Sequence, residues 1–396
     1  MDRGTRIGAG LSTEPDTESA FTASSHAARE QLGDEDVDLA VVFASRAHLD
    51  EIDAALATVG ELLQPGNLIG CCAQGVVGAG HEVEQGAGAT VWAARLPDAR
   101  VEGFHLLASP LEDGMAIEGM PEEIMRDESG PDMALLLSDP YTFPADALLD
   151  VLSEERPGMP VVGGIASGAQ AIGDPVLFYG QQAVGQGAVG VLLEGVDVLP
   201  CVSQGAAPIG PEMVVTASEG NLIAELASKP ALEKLNEVIA EIDSRSRALA
   251  ASGLLIGIVI DENQPTYERG DFLIRGLLGA DRSSGALAVG DLVRVGQTVR
   301  FHVRDAESAD TDLREALALQ NEALGSRGTA GALLFTCNGR GSNMFSVADH
   351  DAGALAESLG APPVSGFFCA GEIGPVGGRN FLHGFTATMA LFAADR

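Results

Sequence analysis

A chain of 396 residues with 46% hydrophobic and 20% charged content has the size of a folded protein of two or three domains, and its 5% aromatic content leaves Ala, Val, Leu and Ile to fill the core. Fifty-seven carboxylates against 23 Lys and Arg give a net charge of −34, a field that repels nucleic-acid phosphates and anionic lipid alike, so neither is expected as a partner. The longest clean apolar run, LLIGIVI at 254–260, is too short to span a membrane, and the N-terminal segment lacks the apolar stretch of a secretory signal. Five Cys with no CxxC pair point to reduced thiols and a cytoplasmic location.

Residues 1–36 read as a lead-in, polar at first and then helical over TESAFTASSHAAREQLG. DLAVVFAS (38–45) is a continuous apolar run suited to a buried strand, and 47–64 carries Leu49, Ile52, Ala55, Leu56, Val59, Leu62 and Leu63 at helical spacing. NLIGCCAQG, ATVWAARL and VEGFHLLA follow as strands. The order then recurs. MALLLSD (133–139) is a strand, 144–155 a helix, and MPVVGGIASG, PVLFYG, GAVGVLLEG and DVLPCVS are strands. A third pass starts at Gly331 with GALLFTC, a helix through 349–359, PPVSGFFCAGEIG and FLHGFTATMALF.

These passes align as an internal repeat. AVVFAS (40–45), ALLLSD (134–139) and ALLFTC (332–337) are each followed by a strand closed by G-x-x-x-x-G, at Gly70 and Gly75, Gly163 and Gly168, and Gly366 and Gly371. A weaker fourth copy is suggested by LLIGIVID (254–261) and IRGLLGAD (274–281). A break is expected in the Gly- and Pro-rich stretch around 215–221, with NLIAELASKPALEKLNEVIAEI (221–242) opening a helical segment. The expected architecture is α/β to α+β, with mixed, largely antiparallel sheets and repeated β-α-β-β units. It has two domains, 37–215 and 221–391.

The crossover geometry of such a unit brings both parallel strand ends to one edge of the sheet. The CNGRG loop after GALLFTC is thus expected beside the CAGEIGP loop after PVSGFF, with Asn338, Arg340 and Glu372 facing a common space and Gly339, Gly341 and Gly371 admitting close backbone approach. Arg340 there suits a carboxylate and Glu372 an ammonium or hydroxyl, with Asn338 and backbone amides setting orientation. An Arg340–Glu372 ion pair closing the loop is the structural alternative. In FHVRDAESADTDL (301–313), Arg304 and Asp305 either line the same site or are a solvated Arg beside an Asp-capped helix start. His383 in NFLHGFT reads as a core histidine or a site residue, and Cys337 as a small buried residue or a nucleophile lacking a base in its own loop. His302, Asp349 and His350 lack metal-ligand spacing, HExxH and paired CxxC motifs are absent, and no metal or cofactor is expected. GQGAVG (185–190) matches a dinucleotide motif but precedes a strand rather than a helix.

LFTCNGRG, followed by GFFCAGEIGPVGGRNFLHGFTATMALF, resembles the signature of the FIST C domain, as does VGQTVRFHVRDAESADTDL upstream. DLAVVFAS, LIGCCAQG, PVVGGIASG and QGAVGVLLEG are similar to the FIST N domain, and the resemblance covers 38–391. It implies a stand-alone intracellular sensory module for a small ligand, such as an amino acid or small carboxylate, in signal transduction. The positions it carries over are Cys337, Asn338, Gly339, Arg340 and Gly341, with Gly366, Gly371, Glu372, Gly374, Pro375 and His383. The flanking segments are too short for an output domain, so the signal is expected to pass through a separate signalling protein or a homo-oligomer. A ligand-free protein-interaction module and an enzyme acting through Cys337 are the competing readings.

Overall fold

The computed structural model describes residues 4–111, 114–125, 130–267 and 270–395. They form two compact units, the first running to Val202 and resuming over Leu313–Leu382 and from Thr386, the second comprising Ser203–Asp312 and His383–Phe385.

The first unit is built from three passes of one pattern. The first pass contains β1 (Arg6–Ser12), α1 (Thr17–Leu32), β2 (Leu39–Ser45), α2 (Ile52–Leu63), β3 (Asn67–Ala73), the hairpin of β4 (Val76–Gly78) and β5 (His81–Val83), and β6 (Ala89–Arg95). The second contains β7 (Arg100–Leu111), β8 (Gly114–Glu118), β9 (Met133–Ser138), α3 (Ala145–Glu155), β10 (Val161–Ile165), the hairpin of β11 (Leu177–Tyr179) and β12 (Gln182–Val184), and β13 (Ala188–Glu194). The third opens with β14 (Val198–Gln204), is interrupted by the second unit, and then continues. The interrupting unit holds β15 (Ala206–Glu219), β16 (Leu222–Leu226), β17 (Lys229–Pro230), α4 (Ala231–Glu241), α5 (Ser244–Ser252), β18 (Leu254–Val259), β19 (Phe272–Asp281), β20 (Ala286–Val289) and β21 (Thr298–Arg304). The third pass ends with α6 (Ala306–Leu324), β22 (Thr329–Cys337), α7 (His350–Leu359), β23 (Val364–Cys369), the hairpin of β24 (Gly371–Val376) and β25 (Arg379–His383), and β26 (Thr386–Ala393).

The repeat has a physical signature at one glycine. β2 pairs parallel with β3, β9 with β10 and β22 with β23, with Val42 opposite Gly70, Leu136 opposite Gly163 and Leu334 opposite Gly366. A Cβ on those glycines would lie 1.9, 1.9 and 1.8 Å from the carbonyl oxygens of Val42, Leu136 and Leu334. No side chain fits there, so the same position is Gly in every pass. β2 and β9 are buried along their whole length and β22 from Gly331 to Cys337, as strands covered on both faces must be. The register also shows why these runs lack alternation.

The hairpins are exchanged. The sheet of the first pass, ordered β1-β6-β2-β3-β11-β12, takes the hairpin of the second. The sheet of the second, β25-β24-β10-β9-β13-β7-β8, takes that of the third, and the third, β14-β26-β22-β23-β4-β5, takes that of the first. The exchange closes a threefold cycle, so residues far apart in sequence share each sheet edge. Phe43 of β2 meets Phe335 of β22 edge to face and Phe367 of β23 at a tilt, at centroid distances of 6.3 and 4.9 Å, joining first and third passes through aromatic contacts worth about 0.5–1.5 kcal/mol each.

Three expectations change. RIGAGLS is a strand rather than the polar start of a lead-in: Gly8 and Gly10 let α1 lie so close that a Cβ would sit 2.1 Å from the carbonyls of Ala28 and Ser24. Residues 222–226 are strand, and the helix starts only at Ala231 after Pro230. The fourth copy is not a repeat, because β18 and β19 are antiparallel neighbours (Leu255 opposite Gly276) with no helix between them among the described residues. The second unit is instead one antiparallel sheet, β15-β21-β18-β19-β20-β16-β17, with Ile256, Leu287, Val299 and Phe301 in its core.

Candidate functional site

β22 delivers Cys337 to the sheet edge directly opposite Cys369 of β23, so the CNGRG and CAGEIG loops lie side by side as the crossover requires. The CNGRG loop folds on itself. Asn338 N donates to Cys369 O (2.9 Å), Arg340 N to Cys337 O (2.8 Å) and Gly339 N to Cys337 Sγ (3.4 Å). Ser342 N and Oγ donate to Glu84 at 2.8 and 2.6 Å. Gly341 has φ +53°, and a Cβ there would meet the Glu84 carboxyl at 2.8 Å. The amides of 338–340 and 342 therefore have protein acceptors, which corrects the expectation that they orient a ligand.

Arg340 turns inward and is wholly buried. Its Nε and Nη2 donate to Asp351 Oδ2 and Oδ1, both at 2.7 Å, a bidentate fork supplied by the first turn of α7. The carboxylate partner is thus Asp351 and not Glu372. Thr336 Oγ1 also donates to Asp351 (2.6 Å), and His350 Nδ1 lies 2.8 Å from it. The His350 ring stacks on Phe345 at 3.4 Å, and the guanidinium carbon of Arg340 sits 5.1 Å from the centre of the same ring. Burial pushes the Asp351 carboxyl up, but Arg340, His350 and Thr336 outweigh it and hold it well below the usual carboxylate range.

Glu372 of β24 is also wholly buried. Its Oε2 accepts from Thr386 N (3.0 Å) and Thr386 Oγ1 (2.8 Å). Burial raises its pKa to about 8, offset only in part by Thr386, by the adjacent Cys337 thiol and by attraction to Arg340. The hairpin exchanged from the first pass supplies another acid. Glu82 Oε1 accepts from the amides of Asp351 (2.8 Å) and Ala352 (3.0 Å), capping α7. Burial and the Asp351 charge raise the Glu82 pKa to about 7.

Within this network Arg340 Nη1, Glu372 Oε1 and Asn338 Oδ1 are buried and have no hydrogen-bond partner. Buried polar atoms are nearly always paired, and a bare one costs about 1–3 kcal/mol. A guanidinium N–H, a carboxyl oxygen and an amide oxygen left bare around one pair of loops are the donors and acceptors a small polar ligand would use.

Gly371 is a ladder residue of β24 opposite Ile165. Arg304, Asp305 and His383 belong to the second unit, whereas Cys337, Arg340 and Glu372 belong to the first. In the second unit Arg304 lies over the Phe385 ring at 4.9 Å, and Asp305 accepts from Ser308 and from Arg245 (2.7 Å) at the start of α6. His383 ends β25 and is buried. Asp351, Glu82, Glu84 and Phe345 were missed. Asp351 had a local signal, an acid in the first turn of an expected helix, but Glu82 and Glu84 reach the site only through the hairpin exchange. Among the described residues no His, Cys, Asp and Glu cluster is arranged to hold a metal, and no helix is long and apolar enough to cross a membrane.

Comparison with known proteins places this geometry. The chain is 46% identical over 388 residues to Uncharacterized protein Rv0628c of Mycobacterium tuberculosis, covering 98% of this chain and 99% of that one. It is 45% identical over 390 residues to Uncharacterized protein Mb0898c of Mycobacterium bovis, with the same coverage. A family model for the FIST N domain matches residues 38–229, and one for the FIST C domain matches 231–375. FIST domains are generally taken as small-ligand sensory domains in signal transduction. With both models matched over nearly its whole length, the chain belongs to the FIST family.

Proposed function

We propose that this chain is a cytoplasmic sensory module that binds a small ligand, an amino acid or small carboxylate, between the CNGRG loop and Glu372. The observation that carries the reading is the set of bare, buried polar atoms around the two loops, Arg340 Nη1, Glu372 Oε1 and Asn338 Oδ1, with Glu82 Oε2 bare on the neighbouring hairpin. Arg340 is held rigid by Asp351, so its free N–H is preorganised. Asn338 and Gly339 are half-buried, and a ligand enters past them. A Cys337 nucleophile is less well supported, because Glu372 with a raised pKa is mostly protonated at neutral pH and makes a poor base. Output passes to a separate signalling protein or through self-association.

The test is a thermal-shift screen of amino acids and small carboxylates against the native chain, Asn338→Ala and Glu372→Ala, the last of which leaves no group to donate. Arg340 is left intact because its removal would strand Asp351. A ligand that raises Tm in the native chain and loses its effect in both variants supports the reading. Shifts unaffected by either variant would remove it.

A further inference from the structure

The hydrogen-bonding character of the bare oxygen follows from its partner oxygen. Glu372 Oε2 accepts two hydrogen bonds from Thr386, at 3.0 and 2.8 Å, and a proton placed there would have to displace the amide bond or reverse the hydroxyl one. A proton on Oε1 of the neutral acid keeps both of those bonds and makes Oε1 a donor. Arg340 Nη1 is a donor in every state, and the guanidinium charge is already matched by Asp351. The site thus presents two bare donors. A carboxylate has the two acceptor oxygens that fit; an ammonium meets no acceptor at either position.

We infer that the ligand is a small carboxylate held jointly by Arg340 and by the protonated form of Glu372, so that ligand and proton bind together. The inference rests on the ligand-binding reading above and narrows it. Asn338 Oδ1 adds one acceptor, which favours a hydroxyl or amide N–H on the same ligand.

The groups facing Glu372 within its unit support this charge state. Cys337 comes from β22, Cys369 from the end of β23, and Arg340 from the loop, with Asp351 and His350 behind it. Gly164 of β10, opposite Glu372 in register, and Thr386 bring no charge. Arg340 is the cation that acts on Glu372, and burial outweighs it, leaving the carboxyl with a pKa of about 8. Above that pH, binding draws one proton from solvent.

The experiment is calorimetric titration of the full chain with sodium propionate, alanine and propylamine at pH 6.5 and 9.5. The protonated fraction of a group titrating near 8 falls about 30-fold between those values, and propionate affinity is expected to fall by the same factor. Glu372→Gln, whose amide can still donate, is expected to bind propionate with that pH dependence abolished. Alanine or propylamine binding that strengthens with pH and is lost in Glu372→Gln would overturn the inference while upholding the site. Failure of propionate at both pH values overturns it too, and failure of every probe removes the site reading as well.

Discussion

Replacing Asp351 with Asn removes one charge and almost no volume, and leaves the Arg340 guanidinium wholly buried with no full counter-charge of its own. Two charge-assisted hydrogen bonds of 2.7 Å are weakened, and the acceptor for Thr336 and His350 changes with them. Breaking a buried pair from one side costs about 3–5 kcal/mol, against about 0–1 kcal/mol for an exposed pair. The assay is urea unfolding followed by tryptophan emission. The chain has a single Trp, Trp92, which is buried in the first unit and 4.9 Å from Phe392, so its signal reports the unit that holds the pair. Asp351→Asn should lower stability by about 3–5 kcal/mol, and Arg340→Met with Asp351→Leu should recover much of that loss. A loss below about 1 kcal/mol for the single variant would show that Arg340 reaches water, and would refute the buried fork.

Other consequences are open to measurement. Glu372 and Glu82 titrate near 8 and 7 when folded, against 4.5 for an ordinary Glu, so the native state holds extra protons between those limits. First-unit stability is greatest with respect to these groups below about pH 4.5 and declines as pH rises to 8, by up to about 1.4 kcal/mol per pH unit per group; Glu372→Gln should flatten the part above 7, and a rise over pH 7–9 in the native chain would contradict it. Gly366→Ala should prevent normal folding because its Cβ would lie 1.8 Å from Leu334 O, whereas Gly353→Ala, in open space on α7, should stabilise by about 0.5–1 kcal/mol; equal melting temperatures for the two would count against the repeat register. Burial raises the Cys71 and Cys369 thiols well above their usual pKa and Cys72 to about 12, so all three should resist an aromatic disulfide reagent until urea unfolds the chain.

Much of the first unit was readable because its signal is local and repeated. The apolar runs at 40–45, 134–139 and 332–337 gave the central strands, and the spaced glycines marked where the neighbouring backbone crosses closest. RIGAGLS was lost because its glycines, needed for the close approach of α1, erase the strand pattern. LLIGIVID and IRGLLGAD imitated a repeat because a short buried antiparallel pair has the same composition as a parallel one. The pairing of the CNGRG and CAGEIG loops followed from topology alone. The inward turn of Arg340 did not, since an Arg in a glycine-rich loop reads as exposed until Asp351 and Phe345 are placed around it. Glu82 and Glu84 could not be found by spacing, because the exchanged hairpin brings them in from the first pass.

The central claim concerns two atoms, Arg340 Nη1 and Glu372 Oε1. A high-resolution crystal structure of the chain grown with propionate at pH 6.5 addresses both directly. One carboxylate is expected to bridge them, with the Oε2–Thr386 bonds and the Arg340–Asp351 fork unchanged. Two isolated waters in its place, or Arg340 swung across to pair with Glu372, would contradict it.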